Sequence, residues 1–536
     1  MRKIYLLFPA FIILLLVSCS SNKETSKSVG IRDKDDIKIT LNDNVVFKNL
    51  GDKINTDADE YAPAITGNGK IVYFTSNRPN RFSKSVGDED IWYASKDGDN
   101  WGVAKNLGFP INEKGNQGTT AIQPDGQYVY FALGERNDGV GNFDIYYSRL
   151  EGIRWSDPKN LGADVNSAYW DHNPTISSDG RTLIFASNRP GGSGSSDLWI
   201  AHKDNEGKWS KPMNLGENIN SDGQEMSPFL SLDNKTLYFA SNSEPSVGGF
   251  DIFVSQYNDG QWSPKKNIGE PYNSPKDEFF ITIPAANDTA YICSNRAGAV
   301  NESLDLWLAV PPPVKTITFQ PVVVAVTGIV SEFNSKPLKP LEATLTIKDL
   351  SNDSTIAQFM SNSVTGDYYI ILTRGRNYGI TAKAPGYLFY SNQFEIPKDA
   401  KYEELRKDIQ LFPLKNPGTT GDKPAVRLMV FFDYDKATLR PESFTDLNNA
   451  IEFLNSNPQV YVEIAGHTDK RGTDDYNNRL SQDRAGSVAS YIVVNGKIDP
   501  ARVKPMGYGK QKLLFQGETE EIHQANRRVE MVLIKY

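Results

Sequence analysis

Cysteine and histidine are scarce in this chain. Its 536 residues include two cysteines, Cys19 and Cys293, and four histidines, His172, His202, His467 and His523. Two thiols are too few for a disulfide framework, and Cys293, in the strand-like run Tyr291-Ile292-Cys293-Ser294, reads as a buried thiol. The histidines are scattered without ligand spacing, so no zinc site is expected, nor any other metal or cofactor. A basic excess is missing too: 58 Lys and Arg stand against 66 Asp and Glu, for a net charge of -8. That balance lacks the concentrated basic surface a nucleic-acid binder needs. At this length three or so domains are expected.

Arg2 and Lys3 precede an apolar run from Ile4 to Val17 that breaks at Ser18-Cys19-Ser20-Ser21. The run is short for a bilayer-spanning helix and suits a secretory signal, a retained membrane anchor being the alternative. Leu16-Val17-Ser18-Cys19 resembles the lipobox of bacterial lipoproteins, which implies cleavage before Cys19 and lipidation of its sulfur. Stable anchoring takes more than one acyl chain. Residues 1–18 are thus expected to be a lipoprotein signal peptide and 19–36 a polar tether too hydrophilic to pack. The mature protein is expected to be lipid-anchored at the outer membrane, facing the periplasm.

Residues 37–310 repeat. An acid followed by two apolar or aromatic residues recurs at Asp90-Ile91-Trp92, Asp144-Ile145-Tyr146, Asp197-Leu198-Trp199, Asp251-Ile252-Phe253 and Asp305-Leu306-Trp307, at spacings of 54, 53, 54 and 54. Trp101, Trp155, Trp209 and Trp262 keep the same step, each followed five residues later by Asn106, Asn160, Asn214 or Asn267. Ser-Asn closes a strand at Ser76, Ser187, Ser241 and Ser294, whereas the second repeat has Leu133-Gly134-Glu135. Short apolar runs with Asn-Gly or Asp-Gly turns fit the four strands of a β-propeller blade, and five markers give five blades. The stretch from Pro174 to Pro190 resembles the PD40/WD40-like repeats of TolB-type propellers. Lys48-Asn49-Leu50-Gly51 carries the outer-strand signature before the first full repeat, and the last repeat lacks one. Residues near 44–51 are therefore expected to complete the last blade beside residues 303–310. An element present in every blade serves the blade, its Asp accepting backbone hydrogen bonds and its aromatic filling the core. No site is assigned here. The propeller is expected to be a docking platform for envelope protein, with loops 78–89 and 134–143 carrying contacts.

Pro311-Pro312-Pro313 ends the repeats. Alternating runs at 324–330, 343–347, 366–372 and 378–382 predict a small antiparallel β-sandwich of roughly seven strands over 322–413. Its order of motifs, through Gly366-Asp367-Tyr368 and Pro385-Gly386-Tyr387, resembles the carboxypeptidase regulatory-like domain. No histidine falls in it, and a spacer role is the default. Residues 414–424 read as a mobile linker.

Residues 425–536 read as α/β. Leu428 to Phe432 is a buried-strand run, Pro441 opens a helix with Phe444, Leu447, Ile451 and Leu454 on one face, and a strand covers 460–464. Tyr476 to Val493 is an amphipathic helix, and Arg528 to Leu533 a last strand. Asp469 thus sits at a strand end and Arg484 inside the following helix. On residue types alone the Asp caps a turn and the Arg makes a surface ion pair. The full motif set, Phe432-Asp433-Tyr434-Asp435-Lys436, Gly466-His467-Thr468-Asp469, Gly472, Tyr476-Asn477, Leu480-Ser481, Arg484-Ala485 and Asn526-Arg527-Arg528, resembles the OmpA C-terminal-like domain shared by OmpA, Pal and MotB proteins. That resemblance implies non-covalent peptidoglycan binding through the diaminopimelate of the stem peptide. It places the ammonium on Asp469 and the carboxylate on Arg484, with backbone amides near Tyr434 and Asp435 as donors and Asn477 and Leu480 lining the pocket. A guanidinium fork suits a carboxylate independently of the family. Asn526-Arg527-Arg528 reads mainly as structural.

The expected fold class is multidomain: mainly β, a propeller of five blades plus a small sandwich, followed by an α/β domain. The domain order is similar to the peptidoglycan-binding lipoproteins of type IX secretion, without their helical-repeat region. The expected function is a non-enzymatic tether between an outer-membrane assembly and the cell wall. The alternatives are a wall-targeted hydrolase, for which no nucleophile–base pair stands out, and a glycan sensor using the propeller.

Overall fold

The computed structural model describes residues 41–42, 44–79, 88–134, 136–204, 206–313, 323–352, 354–400, 404–414, 424–432 and 435–535. The expected signal peptide, Cys19 and the tether lie outside the described residues, as do 415–423 of the expected linker.

Five antiparallel sheets follow one another through residues 46–310. The third is typical: Asp171–Ile176, Thr182–Ser187, Asp197–His202 and Met213–Asn214 pair in sequence order. Each sheet buries apolar side chains against the next. Tyr73 and Ile91 meet Val129 and Phe131, Tyr130 and Ile145 meet Leu183 and Phe185, and Ile184 and Leu198 meet Leu237 and Phe239. Phe250 lies 4.8 Å from Phe279 between the fourth and fifth sheets, and Val72 and Phe74 pack with Tyr291 and Leu306 between the first and fifth. The ring is closed.

Closure uses the strand expected for it. Val46–Asn49 pairs antiparallel with Asp305–Val310, from Val46 opposite Val310 to Asn49 opposite Trp307. Asn49 donates to Asp305 at 2.6 Å, as Asn106 does to Asp90 (2.9 Å), Asn160 to Asp144 (2.8 Å) and Asn267 to Asp251 (2.9 Å). This bond accounts for four of the Asn markers; in the third sheet Asn214 accepts from the Gly216 amide and Asn220 instead, and its Nδ2 has no hydrogen-bond partner among the described residues. The acids also hold turns, Asp144 accepting from the Gly141 amide at 3.0 Å and Asp197 from Ser193 at 3.1 Å, while Tyr146 and Phe253 are fully buried.

A second acid accompanies the serines. Glu60, Asp171, Glu225 and Glu278 are buried and accept from Ser76, Ser187, Ser241 and Ser294. A buried carboxylate needs a counter-charge, and Arg78, Arg189 and Arg296 supply it at 2.8, 2.5 and 3.3 Å. In the fourth sheet Ser243 replaces the arginine, and Lys265 reaches Glu225 instead at 3.0 Å. In the second sheet Gln117 replaces the acid where Leu133 replaces the serine, while Arg136 still lies over Tyr146 (5.5 Å) as Arg189 lies over Trp199 (5.4 Å), with Asp138 at 3.1 Å as its partner.

Residues 323–411 form two four-stranded sheets. One pairs Ser354–Met360, Thr344–Asp349, Arg376–Lys383 and Tyr390–Ile396 antiparallel. The other departs from the expected antiparallel pattern, because Glu404–Arg406 and Ile409–Leu411 run parallel to Val323–Glu332. Val323–Glu332 is paired antiparallel with Asp367–Thr373 on its other side only, and the returning chain fills its free edge. This unit packs on the ring's turns: Ala325 and Ile371 bury Ala285, and Asn362 donates to the Gly152 carbonyl at 3.0 Å.

The C-terminal sheet has the order Ala425–Leu428, Val529–Lys535, Tyr461–Gly466, Val503–Gly507, with α1 (Phe444–Ser456) and α2 (Asp474–Gly496) packed on it. The expected strand over Leu428 to Phe432 is displaced: it spans Ala425–Leu428, and beyond it the Met429 and Phe431 amides donate to Asp446 (2.7 Å) and Ser443 (2.8 Å) instead of to a sheet neighbour. Leu388, Phe389 and Leu414 join the core of this domain, with Phe389 6.0 Å from Phe453. Ser391 donates to buried Asp446 at 2.6 Å.

Candidate functional site

The site forms where the Tyr461–Gly466 strand meets α2. Thr473 caps α2, its hydroxyl accepting from the Tyr476 amide at 3.3 Å, and Asp474 and Asp475 fill the first turn, where carboxylates offset the exposed amides. Two glycines set the helix–sheet distance. A Cβ on Gly466 would stand 2.2 Å from the Ser481 carbonyl oxygen, and one on Gly507 2.4 Å from the Gln482 amide nitrogen. Only glycine permits that approach. The loop after Gly466, which carries Asp469, is thereby held against the middle of α2, which carries Arg484.

Asp469 is 7% exposed, and its carboxylate is engaged. The Arg471 amide donates to Oδ1 at 3.0 Å, an Asx-type turn that the residue type alone suggests. Oδ2 accepts from Arg471 Nε at 3.2 Å, Arg471 Nη2 at 2.7 Å and Arg527 Nη1 at 2.8 Å. Burial pushes the carboxyl up, but the two guanidinium groups and the amide outweigh it and bring its pKa down to about 2. Glu520 spans the two arginines, accepting from Arg471 at 3.2 Å and Arg527 at 2.7 Å.

Arg484 is half-buried, with its guanidinium carbon 4.9 Å from the Phe432 ring centroid and its Nε donating to the Lys436 carbonyl at 3.1 Å. Burial and then the Arg527 charge lower its pKa, against the pull of Asp435 and Asp469. Arg440, Arg484, Arg527, Arg528 and His467 surround a cavity of about 240 Å³ whose apolar wall is Val430, Phe431 and Phe432. Arg528 is committed to Glu530 at 2.5 Å, Arg440 to Glu442 at 2.6 Å, and Arg527 to Asp469 and Glu520. Arg484 keeps both terminal nitrogens without a hydrogen-bond partner among the described residues. His467 is 2% exposed and stacked on Tyr508, with its Nε2 3.6 Å from a Glu530 carboxylate oxygen. An open fork of donors in a cationic, partly apolar cavity suits a carboxylate.

The structure brings Asp469, Arg484 and Asp435 into one electrostatic neighbourhood. Asp435 has a left-handed backbone (φ 57°), and its carboxylate accepts from the Tyr476 hydroxyl. Asn477 is buried and donates to the Arg471 carbonyl at 2.7 Å, so it fixes the loop from beneath. Leu480 is half-buried on α2, and neither it nor Asn477 borders the arginine-lined cavity. Tyr434 and Cys19 lie outside the described residues. Arg527, read mainly as structural, does bridge the last strand to nearby acids, Asp469 and Glu520. Arg471 was missed as a partner of Asp469, although it stands two residues after it in a turn.

Comparison with known proteins matches this end of the chain to a known family. Residues 431–527 match the OmpA family model. Outer membrane porin F of Pseudomonas fluorescens is 42% identical over 105 residues, covering 20% of this chain and 32% of that protein. The peptidoglycan-associated lipoprotein of Pseudomonas aeruginosa is 37% identical over 117 residues, covering 21% of this chain and 68% of that protein. The structure of TolB from Acinetobacter baumannii aligns with 48% of this chain and 56% of its own at 16% identity, with a TM-score of 0.29.

Proposed function

We propose that this chain, which belongs to the OmpA family, is a non-enzymatic tether that holds an outer-membrane assembly to peptidoglycan. Its C-terminal domain, 425–536, binds the diaminopimelate of the stem peptide. The observation that carries this reading is the open Arg484 fork beside the buried Asp469 carboxylate, one donor set and one acceptor for a ligand with both charges. In this reading Arg484 takes the side-chain carboxylate, Asp469 the ammonium, and amides near Tyr434 and Asp435 further contacts, with Asn477 and Leu480 supporting the wall of the site.

The five sheets, within 37–310, are read as the blades of a β-propeller, and the two-sheet unit, 322–413, as a carboxypeptidase regulatory-like spacer. That spacer covers the ring's turns around Gly67 and Ala285, where Tyr369 approaches Gly67, and leaves the opposite rim for a partner protein of the envelope. Lipid on Cys19 would fix the other end in the outer membrane, facing the periplasm. The arrangement is compatible with service to type IX secretion.

The test is retention on purified sacculi. Asp469→Ala and Arg484→Ala each lower the bound fraction at least tenfold. Retention of both variants at the wild-type level refutes the assignment, and release of soluble muropeptides by the wild type replaces it with a hydrolase.

A further inference from the structure

We propose that Arg471 is an internal competitor for the ligand's ammonium group and thereby lowers the affinity of the site for every amine that must displace it. The inference rests on the diaminopimelate reading above. Oδ2 of Asp469 already accepts three N–H groups, two from Arg471 and one from Arg527, and Oδ1 accepts the Arg471 amide. A carboxylate oxygen offers about two lone-pair positions, so an ammonium enters only by displacing a guanidinium.

The two guanidiniums differ in how they are held. The Arg527 side chain is 30% exposed and is also bound to Glu520 at 2.7 Å and Gln524 at 3.3 Å. The Arg471 side chain is 54% exposed, and beyond Asp469 it has only a 3.2 Å contact with exposed Glu520. Arg471 is the group that leaves. Its amide stays on Oδ1, and Asn477 keeps its carbonyl, so the loop survives the exchange.

Exchange of one cation for another on Asp469 yields little net attraction. A ligand gains only when its carboxylate engages the open Arg484 fork at the same time. An amine without a neighbouring carboxylate, such as a lysine side chain at the same stem position, gains nothing from that fork. A site without Arg471 would bind both more tightly, by the same factor.

The experiment titrates the full chain with L-Ala-γ-D-Glu-meso-diaminopimelate and with the same tripeptide acetylated on its side-chain amine. Arg471→Ala and Arg471→Gln are each expected to bind the free amine about 1.5- to 5-fold more tightly, the range of an exposed ion pair, and to leave the acetylated peptide unchanged. Weaker binding, unchanged binding, or an equal change for both peptides overturns the proposal while wild-type binding upholds the diaminopimelate reading. No binding of either peptide by wild type or variants overturns that reading, and the role of Arg471 with it.

Discussion

Arg527 Nη1 lies 2.8 Å from Asp469 Oδ2 and joins the loop after the Tyr461–Gly466 strand to the residue leading into Val529–Lys535. These strands are paired antiparallel, with Gly466 opposite Val529. The ion pair therefore braces the end of two central strands where the ligand is expected. It fixes the acid before any ligand arrives.

That bracing makes stability depend on pH in a defined direction. Asp469 has a folded pKa of about 2, below the ordinary value of about 3.9. Its stabilisation is fully present above the ordinary value and is lost as pH falls from about 4 towards 2. Glu530 behaves alike: burial pushes it up, but His467 and Arg528 outweigh this and bring it to about 2. Asp469→Asn should lower stability in urea by about 1–2 kcal/mol at neutral pH, discounted for the exposed Arg471 partner. The gap to wild type should close by about pH 2.

The charge swap between repeats can be tested by restoring it. Gln117→Glu places a carboxylate at a fully buried position in a sheet whose arginine, Arg136, is engaged by Asp138 at 3.1 Å, whereas Arg78 and Arg189 pair directly with Glu60 and Asp171. A loss of about 2–4 kcal/mol is expected. Lys265→Met, which strands Glu225, should cost about 3–5 kcal/mol. Both are read by thermal unfolding, and a neutral Gln117→Glu contradicts the account of why that repeat differs.

Asn49 clasps the ring, donating to Asp305 at 2.6 Å and accepting from the Gly51 amide and Asn55 at 2.8 Å each. Asn49→Ala should cost about 1–3 kcal/mol. Hydrogen exchange should rise first along Asp305–Val310, ahead of the other sheets.

Gly466→Ala is expected to weaken retention on sacculi without removing any proposed contact. The new methyl meets the Ser481 carbonyl and pushes α2, with Arg484, away from Asp469. A stability loss of about 1–3 kcal/mol should accompany it. Undiminished retention would show that the strand–helix distance does not position the pair.

What the sequence made legible follows from what repeats or alternates. The 54-residue step exposed the sheets, and the orphaned Lys48-Asn49-Leu50 signature identified the closing strand, because Asn49 must meet an acid as Asn106 does. The helices around Leu447 and Val488 were readable from their apolar faces. Less visible were features decided by tertiary partners. Met429 to Phe432 looks like a strand, yet Asp446 and Ser443 take its amides. The Val503–Gly507 strand and α3 (Glu520–Asn526) carry too little periodicity to be read. At the site, Asp469 and Arg484 were found by motif and Arg471 stands at turn spacing from Asp469, whereas Arg527 reaches it through tertiary geometry that no spacing rule encodes.

The Val46–Asn49 strand has a consequence for the order of folding. It is made before the rest of the ring, yet its partner Asp305 lies 256 residues further along the chain. During synthesis the inner sheets can form locally, each from a continuous stretch, while the first strand waits as an unpaired edge. A contact of such long range closes late and slowly. Once Asp305–Val310 has emerged, and until the chain's own first strand docks, its outer edge stays open and a neighbouring chain could fill it with its own Val46–Asn49. The clasp that secures one ring is thus also the element through which two nascent rings could exchange strands.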